Sequence, residues 1–155
     1  MTADDYFAIQ ALLFSYPTRL DRGDFDGVGA LFADAVVRGA GGAIMADRDA
    51  AAMAGAFRNW VRTYADGTPR TRHVISNVAI RPEGDARATV SSYVMVFQQT
   101  DALPLQPVIG GDYLDTVEKV DGAWRFVERV MGNDLIGDLS AHGEAGAITP
   151  SRANG

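Results

Sequence analysis

Apolar side chains recur at Ile9, Leu12, Leu13, Tyr16 and Leu20, the spacing of a helix that buries one face. A helix is therefore expected from about residue 4 to residue 20. Gly23 is placed as the glycine that stops it, and Asp24 as the N-cap of a short second helix over 25–32, with Asp26 in its first turn. ADAVVRGAGGAIMA, residues 33–46, reads as a brief extended piece interrupted by glycines. A third helix is expected over 49–64, with Met53, Phe57, Trp60, Val61 and Tyr64 on or near one face.

Beyond TYADGTPRTR the period changes from that of a helix to that of a strand. HVISNVAI (73–80), ARATVSSYVMVFQQ (86–99), VIGGDYLDTVEKV (108–120) and AWRFVERVM (123–131) are rich in β-formers. PEGD and Asp121-Gly122 supply turns, and a loop with two prolines separates the second and third strands. Helices first and an antiparallel meander second predict an α+β domain over residues 1–140, with the helices on one face of the sheet. Strict alternation puts Val74, Ser76, Val78 and Ile80 on one face of the first long strand and His73, Ile75, Asn77 and Ala79 on the other. Neither set is that of a solvated surface, so a second subunit is expected to cover what the helices do not. Residues 141–155, rich in glycine and alanine, are expected to form a loosely ordered tail.

Composition narrows the function. A chain of 155 residues, 47% hydrophobic and 22% charged, suits one globular domain. A net charge of −6 argues against a nucleic-acid partner. The absence of cysteine excludes disulfides, thiolate catalysis and Cys-ligated metals. The acidic start MTADDYFAIQ is unlike a signal peptide, and no apolar run reaches spanning length. A cytoplasmic protein with no membrane association is expected. Phosphate-binding and dinucleotide fingerprints, the GxSxG elbow and the HExxH spacing are all missing, so no cofactor or metal is expected.

Two histidines remain, His73 and His142. His142 lies within the expected tail, which leaves His73, at the start of a strand, as the plausible imidazole base; the alternative is a structural histidine at a strand end. A carboxylate on the far ring nitrogen would fix its tautomer and stabilise its cation. Asp21 has no evident structural role. It falls in the last helical turn, where the dipole disfavours a carboxylate by about 0.3–1 kcal/mol. Asp112 and Asp115 compete for the place beside the imidazole from opposite faces of one strand, with solvent as the alternative for each. Arg129, expected on one face with Val127 and Met131, suits either a polar cavity or a salt bridge to Glu118 or Glu128. Tyr16, Trp60, Tyr93, Phe97 and Tyr113 are candidate walls of an aromatic pocket, or plain core.

The residues IQALLFSYPTRLDRGDFDGVGALFADAVV, RHVISNVAI and GGDYLDTVEKVDGAWRFVERV, with their spacing, resemble the SnoaL-like branch of the NTF2-like superfamily over about residues 4–140. Within it the chain is similar to the group containing scytalone dehydratase, bile acid 7α-dehydratase and lindane dehydrochlorinase. The resemblance implies a cone-shaped α+β fold, a homotrimer with the sheet at the interface, or else a dimer, and an Asp-His dyad inside the cone. By position the dyad would be Asp21 and His73, with Arg129 facing the pocket. Where the dehydrochlorinase has a lysine on the first helix, this chain has Tyr16, which suits loss of water better than loss of chloride. The resemblance thus implies a cofactor-independent lyase, a dehydratase acting on a small, largely apolar ring compound. Trp60, Tyr93, Phe97 and Tyr113 would contact the substrate. A proton-transfer isomerase uses the same parts. A non-catalytic binding module, or a structural subunit like those of ring-hydroxylating dioxygenases, is the competing expectation.

Overall fold

Thr2 begins the first helix by accepting a hydrogen bond from the Asp5 backbone N–H, while the Asp5 carboxylate accepts one from the Thr2 N–H. This capping box satisfies two orphan donors at the start of α1, Ala3–Leu20. The computed structural model describes residues 1–143. The helices α2, Phe25–Leu31, and α3, Ala50–Trp60, follow, and Asp24 and Asp49 cap them through their side chains. Gly23 adopts φ 74°, which ends α1, and a Cβ there would meet the Gly67 carbonyl oxygen at 2.2 Å. The third helix stops at Trp60 instead of Tyr64, because Val61 turns extended and bridges to Gly143.

The strands are β1, Val36–Arg38; β2, Ile44–Asp47; β3, Thr71–Pro82; β4, Arg87–Gln98; β5, Gln106–Val120; β6, Ala123–Met131; and β7, Leu135–Ile136. They form one curved sheet in the order β2-β1-β6-β5-β4-β3, with β7 paired to β5. Every pairing among them is antiparallel except that of β1 with β6. The sheet is open, and the three helices pack on its concave side. The core lies between them, with Ile9, Leu13, Val28, Phe32, Met53, Val90, Val117 and Phe126 almost completely buried.

Bulges on β3 and β6 overturn the strict alternation expected for those strands. On β3 the register with β4 slips between Ser76 and Ala79, where Asn77 has φ 52°. Thr71, His73 and Ile75 therefore face inward before the bulge, and Val78 and Ile80 after it. On β6 the register with β5 slips between Thr116 and Val117, so Phe126 and Arg129 both point inward. Arg129 does not share its face with Val127 as alternation would require.

The outer face of the sheet is apolar along a stripe. Val74, Tyr93, Leu114 and Leu135 are 48%, 58%, 51% and 64% exposed. The chain is packed through Gly143, with Ala141 and His142 buried, so the tail does not begin at residue 141. The rest of the expected tail, 144–155, lies outside the described residues. No helix among the described residues is long and apolar enough to cross a membrane.

Candidate active site

Asp21 closes α1 in helical geometry, its backbone N–H donating to the Pro17 carbonyl at 2.9 Å. Its side chain turns away from solvent toward the start of β3. There the carboxylate accepts from Thr71 Oγ1 at 2.7 Å and from the His73 backbone N–H at 2.9 Å, and lies 2.6 Å from His73 Nδ1. Thr71 and His73 stand two apart on one strand face, which is why one carboxylate reaches both. The backbone bond fixes the carboxylate in place and the ring bond fixes the tautomer: Nδ1 carries the proton and Nε2 keeps its lone pair. Burial pushes the Asp21 carboxyl up, but the hydrogen bond and charge of His73, its backbone N–H and Thr71 together bring it below the usual carboxylate value.

His73 lines a cavity of about 410 Å³ between the helices and the concave side of the sheet. Most of its wall is apolar, from Leu20, Met45, Phe57, Val94, Val96 and Ile109 among others. Polar groups also line it, including Tyr16, Tyr113, Asn133 and His142 beside the dyad. A hollow of this size with a few convergent polar groups has the character of a small-molecule site. Among the described residues no cluster of three metal-ligating side chains forms.

Tyr16 and Tyr113 meet edge-on with ring centres 6.0 Å apart, and Tyr16 lies 6.4 Å from the His73 ring. Behind them sits Arg129, 1% exposed, its guanidinium 4.6 Å from the Tyr16 ring centre and 4.5 Å from that of Tyr113. Its Nε and Nη2 donate to the two oxygens of Asp115 at 2.7 and 2.8 Å. Burial pushes both phenols upward, Tyr16 well above its ordinary value, although the Arg129 charge opposes this in each. Both phenols therefore stay protonated, and a hydrogen bond links their hydroxyls.

Trp60, Tyr16 and Tyr113 reach the cavity as expected, whereas Tyr93 and Phe97 do not. They stand at odd positions of β4, on the outer face, while Val94 and Val96 take the inner one. Arg129 does not line the cavity either; the aromatic rings of Tyr16 and Tyr113 screen it. Its partner is neither Glu118 nor Glu128 but Asp115, which is fully buried instead of solvated. Asp112 is exposed. Thr71 joins the site without having been expected there, although its place two residues before His73 is signal enough. His142, expected within a loose tail, faces inward, and nothing in AHGEAG marks it as doing so.

The SnoaL-like domain family matches residues 1–130. Among solved structures, one provisionally named a scytalone dehydratase, from Novosphingobium aromaticivorans, is 27% identical with a TM-score of 0.68, over 94% of this chain and 95% of that one. A protein of unknown function with a cystatin-like fold, from Nostoc punctiforme, is 26% identical with a TM-score of 0.70, over 86% of this chain and 94% of that one. The β subunit of a protein provisionally named an aromatic-ring-hydroxylating dioxygenase, also from N. aromaticivorans, is 19% identical with a TM-score of 0.64, over 84% and 89% of the two chains; at that identity the likeness is one of fold alone. No protein of curated function matches the chain.

Proposed function

Given that the chain belongs to the SnoaL-like family, we propose that it is a cofactor-independent lyase that removes water from a small, largely apolar cyclic hydroxy-ketone. The observation that carries this reading is the Asp21–His73 pair on the wall of a roomy, mostly apolar cavity. A structural subunit would need no such hollow, and a cone filled by its own side chains would have favoured that role.

His73 Nε2 takes a proton from the carbon next to the carbonyl, and the C–H electrons pass into the enolate. The enolate oxygen receives hydrogen bonds from the phenols of Tyr16 and Tyr113, backed by the Arg129 cation. Asp21 holds the imidazole in line and stabilises the imidazolium. As the enolate collapses, the C–O bond one carbon further on breaks. The departing hydroxide takes the proton back from Nε2, giving water, an unsaturated ketone and neutral His73. Return of that proton to another carbon would instead give an isomer.

The apolar stripe of Val74, Tyr93, Leu114 and Leu135 supports self-association through the outer face of the sheet, as a trimer first and a dimer second. The proposed activity is tested by incubating the protein with a panel of cyclic β-hydroxy ketones. The expected result is a conjugated enone, seen by its ultraviolet absorbance, together with loss of one water by mass spectrometry. Failure across the panel, with the ketones shown to bind, would reject the dehydratase.

A further inference from the structure

His142 is 3% exposed, lines the same cavity as His73, and has no part in the steps above. Its Nδ1 is sealed from water and has no hydrogen-bond partner among the described residues. A buried polar nitrogen left without a partner costs free energy, about 1–3 kcal/mol, unless something supplies the missing bond.

The backbone around this ring is, by contrast, thoroughly satisfied. The His142 N–H donates to the Leu139 carbonyl at 2.9 Å, and its own carbonyl accepts from the Arg62 N–H at 3.0 Å. The preceding carbonyl, that of Ala141, accepts from Tyr64 Oη at 2.7 Å and from Gln98 Nε2 at 3.1 Å. Gln98 Nε2 also donates to the Pro69 carbonyl at 3.0 Å, so both amide hydrogens are committed and its orientation is set. Arg62 Nη1 donates to the Ser140 carbonyl at 2.9 Å, and Val61 bridges Gly143. The Trp60 indole packs edge-on against the imidazole, ring centres 5.4 Å apart. Gln98 is the cross-strand partner of Thr71, so this anchorage fastens the segment beside the strand that carries the dyad.

A segment pinned at so many backbone positions, lining the cavity with an imidazole whose Nε2 has no partner among the described residues and, unlike Nδ1, is not sealed, has the form of a ligand contact. We infer that His142 hydrogen-bonds an oxygen of the substrate distinct from the one held by the phenols, and so selects ring compounds that carry two oxygen functions. This inference rests on the proposed use of the cavity and names its substrate class more narrowly. His142 is a positioning and specificity residue in this account, and no proton is routed through it. Its state fits the role: burial first, and then the neighbouring His73, brings its pKa down to about 4, so at neutral pH it offers one N–H and one lone pair. Such a ring accepts from a hydroxyl or donates to a carbonyl, and it adds no cation that would disfavour the imidazolium of His73.

The test compares two non-reacting probes by calorimetry at neutral pH: α-tetralone, with one oxygen, and its γ-hydroxy derivative, with two. The γ position lies beyond the carbon from which an enolate expels hydroxide. The wild-type protein is expected to bind the hydroxy derivative about tenfold more tightly, the worth of one hydrogen bond. His142→Phe should bring that ratio close to one while changing α-tetralone affinity by less than about twofold, and His142→Gln should restore part of it. If His142→Phe does not fold, the imidazole nitrogen resonances of His142 in the wild-type protein give the same reading, moving with the hydroxy derivative and not with α-tetralone. A ratio near one in the wild type, a ratio unchanged in His142→Phe, or ring resonances indifferent to both probes would each overturn the inference. His73→Ala, titrated in parallel with wild-type turnover assays, separates the two proposals: a His142-dependent ratio that survives while the wild type turns over no β-hydroxy ketone removes the dehydratase and keeps the contact.

Discussion

The guanidinium of Arg129 lies 4.6 Å from the centre of the Tyr16 ring, so the cavity wall has a buried cation behind its phenol. The cation is balanced by Asp115, itself fully buried, through two parallel hydrogen bonds. Charge is thereby stored where an enolate oxygen would develop, without being exposed to the guest.

Breaking that pair leaves one charge unpaired in the core. Arg129→Met and Asp115→Leu should each destabilise the fold by about 3–5 kcal/mol, whereas the double variant should recover most of the loss. Urea unfolding of all three checks this. Equal losses in the single and double variants would show that the pair is not the reason the positions matter.

Asp21→Asn and His73→Ala should each lower kcat at least about 10²–10⁴-fold while far-UV circular dichroism stays that of the native protein. In Asp21→Asn the imidazole keeps a neighbour but loses the carboxylate that stabilises its cation. Retained turnover in either variant defeats the dyad mechanism.

Tyr16→Phe keeps the ring packed against Arg129 and removes only the hydroxyl. A fall in kcat of about 10²-fold with little change in KM is expected, since the donor acts on a charge that appears only during reaction. An unaltered kcat would take Tyr16 out of the chemistry and leave it as wall.

Asp21 and His142 make stability depend on pH in separate windows, and Asp5, held low by its bonds to Lys119, Thr2 and Trp124, adds to the more acidic one. The folded Asp21 carboxyl ionises more readily than an ordinary one near 3.8, so its contribution is complete above that value and is lost as pH falls through the lower folded value. His142 binds its proton less readily when folded, at about 4 against 6.5, so the unfolded chain holds more protons between those values and stability declines as pH drops from 6.5 toward 4. Urea midpoints across the acid range should therefore fall in two stages. Asp21→Asn should shrink the more acidic stage, leaving the part due to Asp5, and His142→Phe should flatten the milder one. Curves identical to the wild type in both variants would contradict the assignment.

Lysine at Tyr93 and at Leu114 places two charges on the outer stripe. The double variant should be a monomer by light scattering where the wild type is an oligomer, with circular dichroism unchanged. A monomeric wild type would remove the interface.

Helix positions and the four long strands are legible in the sequence because each rests on local rules, apolar spacing, caps and turns, whereas the pairing of Asp21 with His73 is implied by the family resemblance, since the residues alone leave Asp112 and Asp115 in contention. Tyr93, Phe97 and Asp115 depart from expectation at the level of strand faces. Nothing in IRPEGDARATVSSYVMVFQQ states which parity of β4 faces the helices, and both sets hold apolar residues. The bulges at Asn77 and Val127 are equally silent, for a single looped-out residue leaves the composition of a strand unchanged. His142 is held by contacts with Trp60 and Arg62, and its neighbour Ala141 by Tyr64 and Gln98, all distant in sequence, so no local pattern announces it.

The looped-out residue on β3 divides one strand into two independent tenants. Upstream, the odd positions answer to the guest; downstream, the even positions answer to the helix above them. Relatives can therefore rewrite the chemistry of the first half, or trade one substrate for another, without renegotiating how the second half is clamped. Deleting that one residue would merge the two leases into a single plain alternation, with Thr71, His73, Ile75, Val78 and Ile80 all still on the inner face.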